Sequence, residues 1–259
     1  MLPKVREGLE NFAAAIENTR RRETAGRLNV TAPPAFATRW LVRRLPDFVA
    51  LHPEVRLHVV ASVGAIDARD ARGASGLEGL DVRDDQTGIS IRFGRGHYAG
   101  CRVDRLFAPV YTPVCSPRLL SGKHPLHTPT DLRRHTLLHD DTIPELMDRP
   151  TWAEWLREAG VRATEIPDPE RGMHFSDPSM VLSAAIDGVG VALASRLLVD
   201  SEIAEGRLIA PFETVIRRPQ AYWFVAPEAV ADRPIVAVFR SWLLGEVART
   251  LAATPGAGS

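Results

Sequence analysis

Pro33-Pro34-Ala35-Phe36 stands where a predicted strand gives way to a predicted helix, and this junction is the first point in the chain able to do chemistry. The leading backbone N–H groups of a helix have no partner inside it and carry a partial positive charge. The amides of Ala35 and Phe36 could therefore hold a carboxylate, and Pro34 suits the first helical position because its missing N–H has no partner to lose there. Ser62 ends a second predicted strand, Ser176 and Asp177 precede another predicted helix, and Tyr222 opens a late strand. They offer three hydroxyls and a carboxylate, and Asp177 would suit an amino-bearing ligand. Each also has an ordinary structural use: N-cap for Ser176 or Asp177, strand-end hydrogen bond for Ser62, core aromatic for Tyr222. Other groupings do not assemble a reaction centre. Gly94-Arg95-Gly96-His97-Tyr98-Ala99 follows a predicted strand as a dinucleotide fingerprint would, but Gly100-Cys101-Arg102-Val103 then reads as a strand where the fingerprint needs a helix. His124 and His127 flank Pro125 without a carboxylate or thiol at ligand spacing, and His139-Asp140-Asp141 only ends a short strand. No GxSxG elbow, P-loop or HExxH occurs, so neither an enzyme, a cofactor nor a metal is expected.

Composition narrows the partners. Lys plus Arg equals Asp plus Glu at 32 each, and a surface that grips phosphate backbones carries a basic excess. Direct DNA binding by these residues is not expected. Cys101 and Cys115 lack a CxxC or framework spacing and read as reduced thiols of a cytoplasmic protein. The N-terminus lacks the apolar run of a secretory signal, and no stretch is long and apolar enough to span a membrane.

The elements that must position these residues alternate. Leu2, Val5, Leu9, Phe12 and Ile16 form a heptad stripe that either packs on its own domain or pairs with another copy, and its narrowness favours pairing. After Gly26 come a strand Leu28–Ala32, a helix Ala35–Leu51, and strands at Val55–Ala61, Ile89–Phe93, 102–107 and 109–115. The second half repeats the scheme: a strand Leu137–His139, a helix Trp152–Ala159, a strand edge Met173–Ser176, a helix Pro178–Asp187, an apolar strand Val189–Ala194, a strand Tyr222–Ala226, and a closing helix Ile235–Leu251. Trp40, Trp152 and Trp155 read as packing. The polar segment 67–88 has no assigned role, and the tail from residue 253 reads as disordered. Alternation over this length predicts an α/β protein with mostly parallel sheets.

Two stretches resemble a known family. Thr31-Ala32-Pro33-Pro34-Ala35-Phe36-Ala37-Thr38-Arg39-Trp40-Leu41-Val42-Arg43-Arg44-Leu45, with Phe48 and His52-Pro53, is one; Asp187-Gly188-Val189-Gly190-Val191-Ala192-Leu193, with Gly206-Arg207-Leu208-Ile209-Ala210-Pro211-Phe212, is the other. Both are similar to the effector-binding domain of LysR-type transcriptional regulators, in the branch resembling the glycine-cleavage activator. Ile91-Arg92-Phe93-Gly94, Pro113-Val114-Cys115-Ser116-Pro117, Leu137-Leu138-His139-Asp140-Asp141 and Tyr222-Trp223-Phe224 follow in the family's order.

The resemblance implies a type 2 periplasmic-binding-protein-like fold: two α/β lobes joined by two crossovers, preceded by a linker helix. Lobe one would be 27–111 plus 223–252, lobe two 112–222, and residues 1–26 the linker that dimerises family members. It implies a small-molecule effector, carboxylate-bearing if the helix end is its site, held by Pro34, Ala35, Phe36, Ser62, Ser176, Asp177 and Tyr222. Family members commonly carry Ser or Thr where this chain has Ala35, so one hydroxyl donor is missing. The family's winged helix-turn-helix is not in this sequence, and Leu2-Pro3-Lys4-Val5-Arg6 resembles the junction that follows it. The expected protein is thus an effector-sensing module, a homodimer or higher oligomer, able to mix with full-length relatives. The other reading is a transport-type solute-binding protein of the same fold.

Overall fold

The computed structural model describes Arg6 and residues 24–67, 87–143, 149–166 and 168–253. The stripe Leu2, Val5, Leu9, Phe12 and Ile16, nearly all of the polar segment 67–88 and the tail after Ala253 lie outside the described residues.

The strands are β1 (Gly26–Ala32), β2 (Val55–Ala61), β3 (Thr87–Gly94), β4 (Cys101–Phe107), β5 (Val110–Val114), β6 (Leu137–Asp140), β7 (Gly172–Phe175), β8 (Val191–Ser195), β9 (Ile216–Arg217) and β10 (Ala221–Pro227). Leu28, Val30 and Ala32 of β1 are buried while their neighbours are less so, the period-two pattern of a strand covered on one face. One sheet has the order β2-β1-β3-β10-β4 and the other β7-β6-β8-β5-β9. The two-lobed α/β expectation holds, with one correction: both sheets are mixed. In the first, β1 runs parallel to β2 and β3, while β10 is antiparallel to β3 and β4. In the second, β6 runs parallel to β7 and β8, while β5 is antiparallel to β8 and β9. The strands that enter each sheet after a crossover, β5 and β10, arrive in the reverse direction, which alternation of elements does not reveal.

The helix expected over Ala35–Leu51 is also corrected. A π-helix covers Phe36–Leu41, with the Val42 N–H donating to the Ala37 carbonyl at 3.0 Å, and α1 restarts at Leu45–Leu51. Pro46 is the cause: it has no N–H for the carbonyl four residues back, and its ring crowds that carbonyl. Leu45-Pro46 therefore opens a new helix instead of extending the old one.

The remaining α-helices among the described residues are α2 (Trp152–Glu158), α3 (Pro178–Ile186), α4 (Asp200–Ala204), α5 (Glu228–Ala231) and α6 (Pro234–Ala253). Helix α6 packs Ile235, Val236, Phe239, Trp242 and Leu243 into the first lobe's core with Phe36, Trp40, Phe48 and Phe224. Fully burying each such side chain is worth about 1.5–3 kcal/mol. The second lobe has a core on each face of its sheet, one around Trp152, Trp155 and Val191, the other around Val114, Leu138 and Val181. Trp152 and Trp155 meet edge to face at 6.0 Å, and their indole N–H groups donate to Leu138 O at 3.2 Å and Thr214 O at 2.9 Å. Leu197 and Leu198, which follow β8, cross over to join the first lobe's core.

Gly96 shows why the glycine pair imitates a nucleotide loop. Its φ is +83°, and a Cβ there would lie 2.5 Å from the Trp223 ring. The position needs glycine for a turn under an indole. The loop leads straight into β4, so no helix follows to receive a phosphate. No helix among the described residues is long and apolar enough to cross a membrane.

Candidate functional site

The carboxyl ends of parallel strands are where open α/β sheets place ligands, because the chain diverges there to either side. Here the ends of β1, β3, β6 and β8 border one cleft of about 650 Å³. From the first lobe come Pro33, Pro34, Ala35, Ile66, Phe93 and Tyr222. The second lobe faces them with Tyr111, Asp140 and Thr142, with Pro178, Val181 and Leu182 of α3, and with the stretch from Leu193 to Ser195 followed by Leu198 and Val199. The lining is largely apolar.

Of the residues singled out in the sequence, Pro34, Ala35 and Tyr222 stand in this wall. Phe36 sits just behind it, fully buried, with its ring 5.0 Å from Trp40, 5.1 Å from Tyr222 and 6.0 Å from Phe107. Ser62 lies away from the cleft wall and caps the turn Val63–Ala65, its Oγ accepting from Gly64 N at 3.2 Å. Ser176 and Asp177 are exposed at the head of α3, where Asp177 Oδ1 accepts from Ser179 N at 2.6 Å; the helix faces the cleft with Pro178, Val181 and Leu182 instead.

Four polar residues of the wall, Tyr111, Asp140, Thr142 and Ser195, were not singled out as ligand contacts, and two of them end strands. Asp140 is the last residue of β6, and its Oδ1 accepts from Thr142 N at 2.9 Å. Burial raises its carboxyl above the usual range, Asp141 and Asp177 add to that, and the Thr142 contacts oppose it. Ser195 is the last residue of β8, 5% exposed, and its Oγ has no hydrogen-bond partner among the described residues. Their signal was positional: each ends a strand that runs parallel to a neighbour. Tyr111 and Tyr222 have phenols pushed well up by burial, so both present neutral hydroxyls.

A second cavity of about 460 Å³ adjoins the first and shares Tyr111, Asp140, Ile143 and Leu193 with it. It is flanked by His139, Arg149 and Glu170. Ligand atoms of His139, Glu170 and His174 lie within 4.8 Å of one another, the spacing of a metal site. The geometry does not suit one. The two imidazoles lie flat on each other, 4.1 Å apart and 4° from parallel, so their in-plane lone pairs cannot converge on a single ion. His174 bonds Asp141 Oδ2 at 3.1 Å and the Glu170 carbonyl at 3.0 Å, and Arg149 already lies 2.5 Å from Asp141 and 3.7 Å from Glu170. The group is a charge network. The Glu170 carbonyl and Asp141 raise the His174 pKa, while burial and the neighbouring His174 lower that of His139. The Cys115 thiol, pushed up to about 12 by burial, is no nucleophile.

Behind the cleft the lobes are fastened together. Glu202 of α4 is fully buried, and its Oε1 receives Arg39 at 3.1 Å, Arg43 at 2.5 Å and Arg207 at 3.5 Å. Arg39 and Arg43 come from the π-helix and the turn after it, so the element that begins beside the cleft ends in this clasp.

Comparison with known proteins gives one answer. The model of the LysR substrate binding domain matches residues 21–72 and 76–248. The glycine cleavage system transcriptional activator of Escherichia coli K12 is 37% identical over 242 residues, covering 92% of this chain and 72% of the relative. The transcriptional activator AmpR of Pseudomonas aeruginosa is 30% identical over 244 residues, 94% of this chain and 74% of that protein. Among solved structures, the AmpR effector domain of P. aeruginosa superposes with a TM-score of 0.65 at 30% identity, covering 88% of this chain and 98% of its own. The AmpR effector binding domain of Citrobacter freundii also gives 0.65, at 27% identity, covering 86% and 99%. Two mixed-sheet lobes around a cleft, and a family match over nearly the whole chain, place this protein in the family of LysR substrate-binding domains.

Proposed function

We propose that this chain is the effector-sensing module of a LysR-type transcriptional regulator, acting in the cytoplasm and not as an enzyme. The observation that supports it most is the cleft: a largely apolar space at the carboxyl ends of β1, β3, β6 and β8, with walls from both lobes. A small molecule there touches both lobes at once, so it favours whichever relative placement of the lobes it fits best. The relatives are transcriptional activators, which does not favour the transport-type reading. Pro34, Ala35 and Tyr222 are the effector contacts we retain from the sequence; Phe36 supports them from behind, and Ser62, Ser176 and Asp177 serve at a greater distance. Sequence-specific DNA contact is not expected of these residues, whose formal net charge is zero.

The test is thermal denaturation against a panel of small metabolites, run on the chain and on Leu193→Trp, which fills the cleft. At least one compound should raise Tm, as any ligand that binds only the folded state does, and Leu193→Trp should abolish the shift. A panel without effect, or a shift that survives the substitution, would count against the cleft.

The stripe of Leu2, Val5, Leu9, Phe12 and Ile16 supports dimerisation through residues 1–26, including mixed oligomers with full-length relatives. Light scattering on the chain should give a dimer that becomes a monomer when 1–26 are deleted. A monomer in both cases would show that the stripe packs on its own domain.

A further inference from the structure

The described walls of the cleft carry one ionisable acid or base. Asp140 is the only Asp, Glu, Lys, Arg or His among the described residues that line it. Among the described residues no ion pair joins Asp140 to a cation, and its hydrogen bonding comes from Thr142. Arg149, in the adjoining cavity, lies against Asp141 at 2.5 Å and leans towards Glu170 at 3.7 Å. Asp140 is half-buried, and a partly desolvated carboxylate without a positive partner is costly unless a ligand or a proton answers it.

Three further observations agree on the kind of ligand. Ser195, in the same wall, keeps a buried Oγ that no described residue hydrogen-bonds. Phe93, Tyr111 and Tyr222 add aromatic rings to the lining, surfaces that attract cations and not anions. The rest of the wall, including Ile66, Val181, Leu182 and Leu193, is apolar. A metal ion does not fit this set, because hard cations need several oxygen ligands and only one carboxylate is present.

We propose that the effector carries a protonated amine on an apolar body, with the amine seated on Asp140 and hydrogen-bonded to Ser195 Oγ. This rests on reading the cleft as the effector site, and it shifts the emphasis of the sequence-based expectation, which centred on a carboxylate at Ala35 and Phe36. The apolar body lies against Val181, Leu182 and Leu193. A carboxylate on the same molecule is an addition to the amine and not a substitute for it.

Three probes with one hydrocarbon body separate the possibilities: isopentylamine, leucine and 4-methylpentanoate, titrated calorimetrically into the chain, Asp140→Asn and Ser195→Ala. Asp140→Asn keeps the shape and removes the charge, so its fold is checked by circular dichroism and Tm. The amine and leucine should bind and the carboxylate should not. Asp140→Asn should weaken both amines at least about tenfold, since a charge-assisted hydrogen bond is lost, and Ser195→Ala about threefold. Tighter binding of leucine than of isopentylamine would assign its carboxylate a second contact. Binding of 4-methylpentanoate alone, or amine binding unchanged in Asp140→Asn, overturns the proposal while the cleft stands. No binding by any probe also overturns it, and the Leu193→Trp comparison with the metabolite panel then decides separately whether the cleft is a ligand site.

Discussion

Glu202→Ala should lower the free energy of unfolding by about 3 kcal/mol, because it leaves the part-buried Arg39 without a carboxylate, while Arg43 and Arg207 keep Glu205. Arg39 is only 14% exposed in its side chain, so water cannot fully replace the lost carboxylate there, whereas Arg43 and Arg207 can turn outward at 33% and 40%. The loss should fall on the junction between the lobes, since Glu202 belongs to the second and the π-helix to the first. Urea unfolding followed by tryptophan fluorescence gives the magnitude, and small-angle scattering gives the placement of the lobes. Glu202→Gln keeps an oxygen for Arg39 and Arg43 and should cost clearly less. A change below about 1 kcal/mol in Glu202→Ala would mean that the clasp contributes no more than a surface ion pair.

Phe36→Ala should cost about 3–5 kcal/mol, the range for deleting a fully buried phenylalanine. Its ring is fully buried and touches Trp40, Tyr222 and Phe107, so no flexible neighbour is free to fill the space. Tyr222 forms part of the cleft wall, and its ring would lose its backing. Ligand binding should therefore weaken even where the folded fraction is held constant. Phe36→Leu, which leaves a smaller void, should cost about 1–1.5 kcal/mol. Equal costs for the two substitutions would show that the site collapses around the loss.

How far the sequence could be read follows from the range over which each feature is encoded. β1 was legible from Leu28, Val30 and Ala32, because a period of two is a local property. The break after the π-helix has a local marker in Pro46, but the apolar pattern on either side of it was read as one continuous helix. Pro34, Ala35 and Tyr222, which line the cleft, could be picked out because each sits at the boundary of a local element. Asp140 and Ser195 face one cavity only because β6 and β8 pair in parallel, a fact of topology that neither stretch contains. The clasp is further removed still. Glu202 is one of 32 acidic residues, and its partners Arg39 and Arg43 stand 163 and 159 positions away. Nothing in a local window marks that glutamate as buried.

The strand orders also set a timetable. The second sheet is drawn from one continuous stretch, β5 to β9, and every strand of it exists once residue 217 has been made. The first sheet is not: β3 and β4 are neighbours in sequence, yet β10 lies between them. Until residues 221–227 leave the ribosome, β4 has no partner and β3 has one open edge, while Ile89, Ile91, Leu106 and Phe107 wait for their cover. Synthesis ordinarily lets the N-terminal unit fold first. Here the lobe that begins first is finished last, and a chain stopped between β9 and β10 carries every strand of the second sheet behind an incomplete first one, with an unpaired strand edge exposed to other chains.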